Sequence, residues 1–395
     1  MKKIATLLFL TFIIGCKTNN SPKEHISQQN LHEHLFGNST FTQEKEWDSL
    51  HKISQSIVNH KKAKLNKNYR TFGWHLYSNG SAYKNYNFSL LWGISYFTYN
   101  VIPETGNYKS IHQWKTTALI DSAKANNCKV FLSVSNFGNT NNSTFLSNLK
   151  AQETLTNNLI ELLALRKANG INIDFEGVAK KDKRKFTQFV IQLSEKLKKV
   201  NPNYMVSLCL YAIDWNNIFD IKSLNPHIDF YTLMGYDYYG SFSKTAGPVS
   251  PLKNSKTFGK GLESSTQHYL NKGIKPKDLI IGLPYYGAEW DTYSNNIPSK
   301  VKSFKSHPPY KNIKRIYIDS LQNKVLFNTE TASSYITIKN NDNTYKEIWF
   351  ENEKSLSIKY DWIKANQLGG VGIWALGYDD GYSELWTLLS EKFSE

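Results

Sequence analysis

A chain of 395 residues, 40% of them hydrophobic, can bury a full core as one large domain or two ordinary ones, which excludes a disordered class. The net charge of +15 raises nucleic acid as a partner. However, the lysines are scattered among asparagines with no zinc-finger, basic-zipper or RNP-like pattern, so no nucleic acid is expected and the charge reads as a solvated basic surface.

The first segment sets the destination. Lys2-Lys3 is followed by an apolar run from Ile4 to Ile14 and the small-residue site Gly15-Cys16, the layout of a secretory signal over residues 1–15. The run Ile13-Ile14-Gly15-Cys16 resembles a bacterial lipoprotein box, which implies lipidation of Cys16 and a place in the bacterial cell envelope, held to a membrane by acyl chains. No later apolar run reaches the roughly 18 residues of a spanning helix. Residues 16–42 are polar and rich in Asn, Ser, Gln and His, and read as a flexible tether. Residues 43–395 are read as the folded part, opening with a lysine-rich helix over about residues 43–64.

From Thr71 onward strand-like runs fall at Phe72 to Tyr77, Leu90 to Tyr99, Val130 to Ser135, Ile171 to Glu176, Met205 to Tyr211, Ile228 to Tyr236, Leu279 to Pro284 and Val371 to Ala375. Helical patterns separate most of them: His112 to Ala125, Thr144 to Ala168, Lys181 to Val200, Ser264 to Lys272 and Glu353 to Gln367. Eight strands alternating with helices predict an α/β fold, a (β/α)8 TIM barrel in preference to a doubly wound sheet. Between about residues 291 and 347 short β-like pieces (Ile316 to Ile318, Lys324 to Phe327, Ser334 to Ile338) predict a small β-rich insertion after strand 7. Cys128 and Cys209 lie in apolar segments and read as buried free thiols; the dispersed histidines give no metal-ligand spacing, so neither metal nor cofactor is expected.

The chain is organised around Gly170-Ile171-Asn172-Ile173-Asp174-Phe175-Glu176. Alternation along a strand puts Asn172, Asp174 and Glu176 on one face and Ile171, Ile173 and Phe175 on the other. Polar groups in a row on a buried face are costly without a use. Other strand ends add Met234-Gly235-Tyr236-Asp237-Tyr238, Gly282-Leu283-Pro284-Tyr285-Tyr286 and Gly372-Ile373-Trp374-Ala375. Carboxylates among Tyr and Trp describe a carbohydrate site, with acid chemistry on a glycosidic oxygen and flat rings for sugars; 14% of the chain is aromatic.

At these motifs the sequence resembles glycoside hydrolase family 18, the chitinase and endo-β-N-acetylglucosaminidase family. Asn169-Gly170-Ile171-Asn172-Ile173-Asp174-Phe175-Glu176 matches its strand-four D-G-x-D-x-D-x-E, Met234-Gly235-Tyr236-Asp237 its M-x-Y-D, and Trp374 its strand-eight tryptophan. Two motif aspartates are asparagines here, Asn169 and Asn172, and the strand-three S-x-G-G is loosely met by Ser133 to Gly138. The G-x-N-x-D-F-E form, with Ile348-Trp349-Phe350-Glu351, is similar to the peptidoglycan-processing branch. The resemblance implies catalytic Glu176, Asp174 and Tyr236, with Asp237, Trp374, Asn172, Tyr238 and Tyr285 contacting an N-acetylglucosamine-containing glycan. It implies retaining, substrate-assisted hydrolysis by a monomer; a lectin-like, non-catalytic module on the same barrel is the alternative. Asn172 is further expected to donate a hydrogen bond to Asp174.

Overall fold

A computed structural model describes residues 27–54, 58, 60 and 63–395. The expected signal segment and Cys16 lie outside the described residues, as does the tether up to residue 26.

Eight parallel strands close into a barrel: β1 (Arg70–Leu76), β2 (Gly93–Asn100), β3 (Lys129–Phe137), β4 (Gly170–Glu176), β5 (Met205–Leu210), β6 (Phe230–Met234), β7 (Leu279–Pro284) and β13 (Gly370–Leu376), in the order β1-β13-β7-β6-β5-β4-β3-β2. All eight predicted strands are present. Helices α3 (Leu119–Ala125), α4 (Asn139–Leu146), α5 (Leu149–Arg166), α6 (Lys183–Val200), α7 (Ile221–Leu224) and α8 (Leu262–Asn271) connect them. The helix predicted over Thr144 to Ala168 is broken at Ser147-Asn148, where the Asn148 side chain caps α5 by accepting from the Ala151 N–H at 3.1 Å.

Between β7 and β13 lies the predicted insertion, a five-stranded antiparallel sheet in the order β10-β11-β12-β8-β9, from β8 (Gly287–Thr292), β9 (Val301–Ser306), β10 (Leu326–Asn328), β11 (Ser333–Lys339) and β12 (Tyr345–Phe350). One expectation fails there. Ile316 to Ile318 is not a strand: after the short α9 (Tyr310–Asn312) the chain runs as a π-helix over Ile313–Ser320, and of its three isoleucines only Ile313 is fully buried. Helix α10 (Glu353–Ala365) returns the chain to β13, and α11 (Glu384–Phe393) closes it.

Two apolar layers hold the barrel. The outer one packs strands on helices and takes one face of β4: Phe175 stacks on Phe189 of α6 at 5.4 Å and meets Phe145 of α4 at 5.7 Å. The inner one fills the barrel, with Phe72, Phe131 and Phe230 meeting edge to face at 5.4 to 5.6 Å. Committing Ile171, Ile173 and Phe175 outward leaves Asn172, Asp174 and Glu176 no face but the barrel interior.

The N-terminal part departs from the tether reading. Residues 28–36 form helix α1 (Gln28–Phe36), capped by the Ser27 hydroxyl accepting from the Asn30 N–H at 3.1 Å, and α1 lies over the barrel mouth. Helix α2 (Glu44–His51) is shorter than the predicted 43–64 helix and is pinned to the rim, where Asp48 accepts from the Ser81 N–H and hydroxyl at 2.7 and 2.8 Å and Trp47 is fully buried. Cys128 and Cys209 are buried free thiols, as expected. Among the described residues no helix is long and apolar enough to cross a membrane, and no cluster of metal-ligating side chains occurs.

Candidate active site

The carboxyl ends of the barrel strands carry the polar groups. On β4, Asp174 pairs in register with Ser135 of β3, and Glu176 with Phe137. The end of β4 is fastened by its own carbonyl: Glu176 O accepts from the Gly138 N–H at 2.9 Å and from Asn142 Nδ2 at 2.7 Å. Gly138 sits at φ +90°, a backbone shape that glycine adopts without strain, so the loosely matched strand-three segment still serves to position the acid.

At the barrel mouth Asp174 is buried and Glu176 is half-buried, with its Oε1 shielded from solvent. Burial raises the pKa of Glu176 well above its ordinary range, and the neighbouring Asp174 carboxyl and then Asp237 add to the rise. A hydrogen bond from the Ser27 hydroxyl opposes it. Burial also raises Asp174, which faces the Cys209 thiol, a weak donor at the edge of hydrogen-bonding geometry; no other partner of its oxygens occurs among the described residues. Such a pair holds a proton at pH values where exposed carboxylic acids have lost theirs, the condition for a general acid.

Tyr236 and Asp237 follow β6. Burial keeps Tyr236 a neutral hydroxyl, and its ring lies 6.3 Å from Trp374. Trp374, on β13, is buried between Trp74 at 5.8 Å and Phe97 at 5.2 Å; its indole N–H has no partner among the described residues. Asp237 Oδ1 accepts from the Tyr286 hydroxyl at 2.5 Å. The structure therefore gathers Asp174, Glu176, Tyr236, Asp237 and Trp374 at one mouth.

Three expected contacts fall elsewhere. Tyr238 turns to the helical layer, its hydroxyl sharing a hydrogen bond with Ser265 of α8 at 2.6 Å. Tyr285 does the same with Tyr360 of α10 at 3.2 Å. Its neighbour Tyr286 is the residue that reaches the mouth, because consecutive side chains at a strand end face opposite ways. Asn172 lies one layer below Asp174 and does not donate to it. Its carbonyl oxygen accepts from Trp74 Nε1 at 2.8 Å and its amide donates to Ser207 Oγ at 2.8 Å, the residue directly across on β5. Cross-strand neighbours are nearer than the next same-face residue of one strand, so the amide is taken sideways.

The mouth also holds groups that sequence reasoning missed. Besides the Ser27 bond to Glu176, the Gln28 N–H donates to Asp237 Oδ2 at 3.1 Å, and Gln29 Nε2 lies 2.7 Å from the Tyr236 hydroxyl and 3.2 Å from Met234 Sδ. Tyr286 had a signal in strand alternation. Helix α1 had none, since its buried residues are Gln28, Gln29, His32 and Glu33, with no apolar periodicity.

Known proteins of this pattern exist. The sequence profile of Glycosyl hydrolases family 18 matches residues 56–379. The chain is 28% identical over 243 residues to the uncharacterized glycosylase YvbX of Bacillus subtilis (strain 168), covering 60% of this chain and 65% of the relative. It is 22% identical over 298 residues to the cortical fragment-lytic enzyme of Bacillus anthracis, covering 71% of this chain and 64% of the relative. It thus spans a little under two thirds of each of these curated relatives. Among solved structures, the family 18 N-acetylglucosaminidase of Paenibacillus barengoltzii superposes with a TM-score of 0.71 at 18% identity, over 82% of this chain and all of that one, which shows a shared fold.

Proposed function

The chain belongs to Glycosyl hydrolases family 18, and from that membership we propose that it is a glycosidase acting on β-linked N-acetylglucosamine polymers, with retention of configuration. One observation carries the reading: the buried Asp174 and the half-buried Glu176 share the inward face of β4 beside Tyr236, whose ring lies 6.3 Å from Trp374. A lectin-like module would need neither a raised acid nor its paired neighbour, and no feature of the site favours it.

In the proposed reaction neutral Glu176 gives its proton to the glycosidic oxygen as the C1–O bond breaks, and the leaving sugar departs as an alcohol. The carbonyl oxygen of the substrate's own 2-acetamido group bonds to C1 from the opposite face, forming an oxazolinium ion. This family is an exception to the scheme of two enzyme carboxylates. Asp174 orients the acetamido N–H and balances the positive charge, and the Tyr236 hydroxyl donates to the acetamido oxygen. Water then adds to C1, losing a proton to Glu176, and the acetamido group is restored. Asp237 binds substrate hydroxyls, and Trp374 floors the reacting ring.

The same proposal places the enzyme at the bacterial cell envelope through a lipid on Cys16. The relative named as a cortical fragment-lytic enzyme and the G-x-N-x-D-F-E form favour peptidoglycan; chito-oligosaccharide presents the same acetamido group. The test incubates the whole chain, in stoichiometric excess, with chitotetraose and separately with purified peptidoglycan, and identifies products by mass spectrometry and NMR. Products of β configuration that vanish in Glu176→Gln are expected. No Glu176-dependent product from either polymer would overturn the reading.

A further inference from the structure

A helix that packs on a barrel for stability alone buries an apolar stripe. Helix α1 does so only at its C-terminal end, where Phe36 meets Trp47 at 5.7 Å and His51 at 5.3 Å. Its buried residues are Gln28, Gln29, His32 and Glu33, while Leu35 is 61% exposed. Each buried group is spent on the mouth of the barrel: the Ser27 hydroxyl on Glu176, the Gln28 N–H on Asp237, the Gln29 carboxamide on Tyr236, His32 Nε2 on Ser78 Oγ at 2.7 Å, and Glu33 on the Asn100 amide at 2.7 Å. Three of the five partners are residues assigned above to acid catalysis or substrate binding.

The Gln29 side chain ends in a primary amide, the same planar group that a 2-acetamido sugar presents. Its nitrogen Nε2 donates to the Tyr236 hydroxyl at 2.7 Å, the same hydroxyl that the proposed reaction turns toward the acetamido oxygen, so the amide fills that place with its nitrogen end. The match is incomplete: Gln28 Nε2, Gln29 Oε1, Glu176 Oε1 and the Trp374 indole N–H are buried with no partner among the described residues. Unsatisfied buried polar atoms make the seat costly to keep, and a sugar ring with several hydroxyls can satisfy more of them.

The connection holds α1 to α2 through Phe36 and Phe41 on Trp47, leaving the Ser27 to Glu33 part to separate from the mouth. Seven polar-rich residues, Gly37 to Gln43, join α1 to α2. That helix is anchored by fully buried Trp47, by the Asp48 bonds to Ser81 and by Glu44, which accepts from the Thr117 hydroxyl at 2.5 Å.

We propose that residues 27–33 are a reversible internal inhibitor of this site: the Gln29 carboxamide occupies the seat of the substrate's acetamido group, and a glycan must displace this part of α1 to reach Glu176. The proposal rests on the glycosidase reading above.

Two measurements on the whole chain test it. In Glu176→Gln, backbone amide exchange over Leu31 to Phe36 is followed with and without saturating tri-N-acetylchitotriose; protection in the free chain that is lost on binding is expected, with barrel amides unchanged. In the otherwise native chain, Gln29→Ala removes the amide that holds Tyr236; kcat/KM on chitotetraose should rise about three- to tenfold. Ser27→Ala should move the rate the same way by less, which guards against a local misfolding effect of the first variant. Unprotected α1 amides in the free chain, amides indifferent to bound sugar, or rates within about twofold of the parent in both variants would overturn the proposal. Neither binding nor hydrolysis in any variant would instead remove the glycosidase reading beneath it.

Discussion

The Tyr286 hydroxyl donates to Asp237 Oδ1 at 2.5 Å, while Oδ2 of the same carboxylate faces the mouth and accepts from Gln28. Asp237 has φ +57°, a left-handed backbone, so the side chain is aimed by its partner as well as by the turn. Tyr286→Phe removes a hydrogen bond to a charged group, about 1.5 to 3 kcal/mol, so kcat/KM should fall about 10- to 100-fold. The loss should fall mainly on KM, because the acid on β4 is untouched. Tyr285→Phe, one residue away but facing α10, should leave KM unchanged; equal KM effects from both substitutions would contradict this geometry.

The carboxyl pair couples stability to pH. Burial raises Glu176 and Asp174, so the native state keeps protons that the unfolded chain releases. Stability is complete below the ordinary carboxyl pKa of about 4 and declines as pH rises through the raised values, by about 1.4 kcal/mol for each unit of separation. Asp174→Asn and Glu176→Gln should therefore melt higher than the parent at about pH 8, with the advantage fading toward about pH 3. Thermal unfolding at both pH values checks the sign. A variant less stable than the parent at the higher pH would mean that the carboxyl is ionised and well paired.

Asn172 offers a test of the electrostatics below the pair. It is fully buried between Trp74 Nε1 and Ser207 Oγ, both of which can donate to a carboxylate. Asn172→Asp can thus be accommodated, and it places a third carboxyl on the inner face two residues from Asp174. Like charges there make Asp174 harder to ionise, so the acid limb of the kcat/KM profile should move to higher pH. An unchanged profile would show that this position does not act on Asp174 electrostatically.

What the sequence revealed followed the physics of burial. Strands β4 and β7 were legible nearly to the residue because apolar runs bounded by Gly, Asn and Pro have few other uses. The inward trio of Asn172, Asp174 and Glu176 followed from alternation alone. At Tyr285-Tyr286 the family resemblance pointed to Tyr285, whereas alternation at the strand end turns Tyr286 to the mouth. Ile313, Ile316 and Ile318 carried β-branched propensity, yet the segment is helical, since only one of them gains full burial. Helix α1 was illegible because its stabilisation comes from polar partners more than 40 residues away, which no local pattern encodes.

The link between the insertion sheet and the last barrel strand contains a buried ion pair beside the Ser334 hydroxyl bond to Asn352 at 2.8 Å. Lys359 of α10 and Glu351, just after β12, are both buried; Lys359 Nζ donates to the Glu351 carboxylate and to the Ala332 carbonyl at 3.0 Å. Burial pushes the lysine pKa down and the glutamate up, and their mutual attraction works against both shifts. Removing one partner strands the other, so Glu351→Ala should cost about 3 to 5 kcal/mol, read as a lower urea midpoint at unchanged slope. Replacing both, as Glu351→Met with Lys359→Met, should recover most of that loss, because desolvation no longer opposes folding. Since α10 leads into β13, the single substitution should also loosen Trp374 and lower kcat/KM, and the double one restore it. A cost below about 1 kcal/mol for Glu351→Ala would place the pair with exposed ion pairs and remove the sheet from the support of the site.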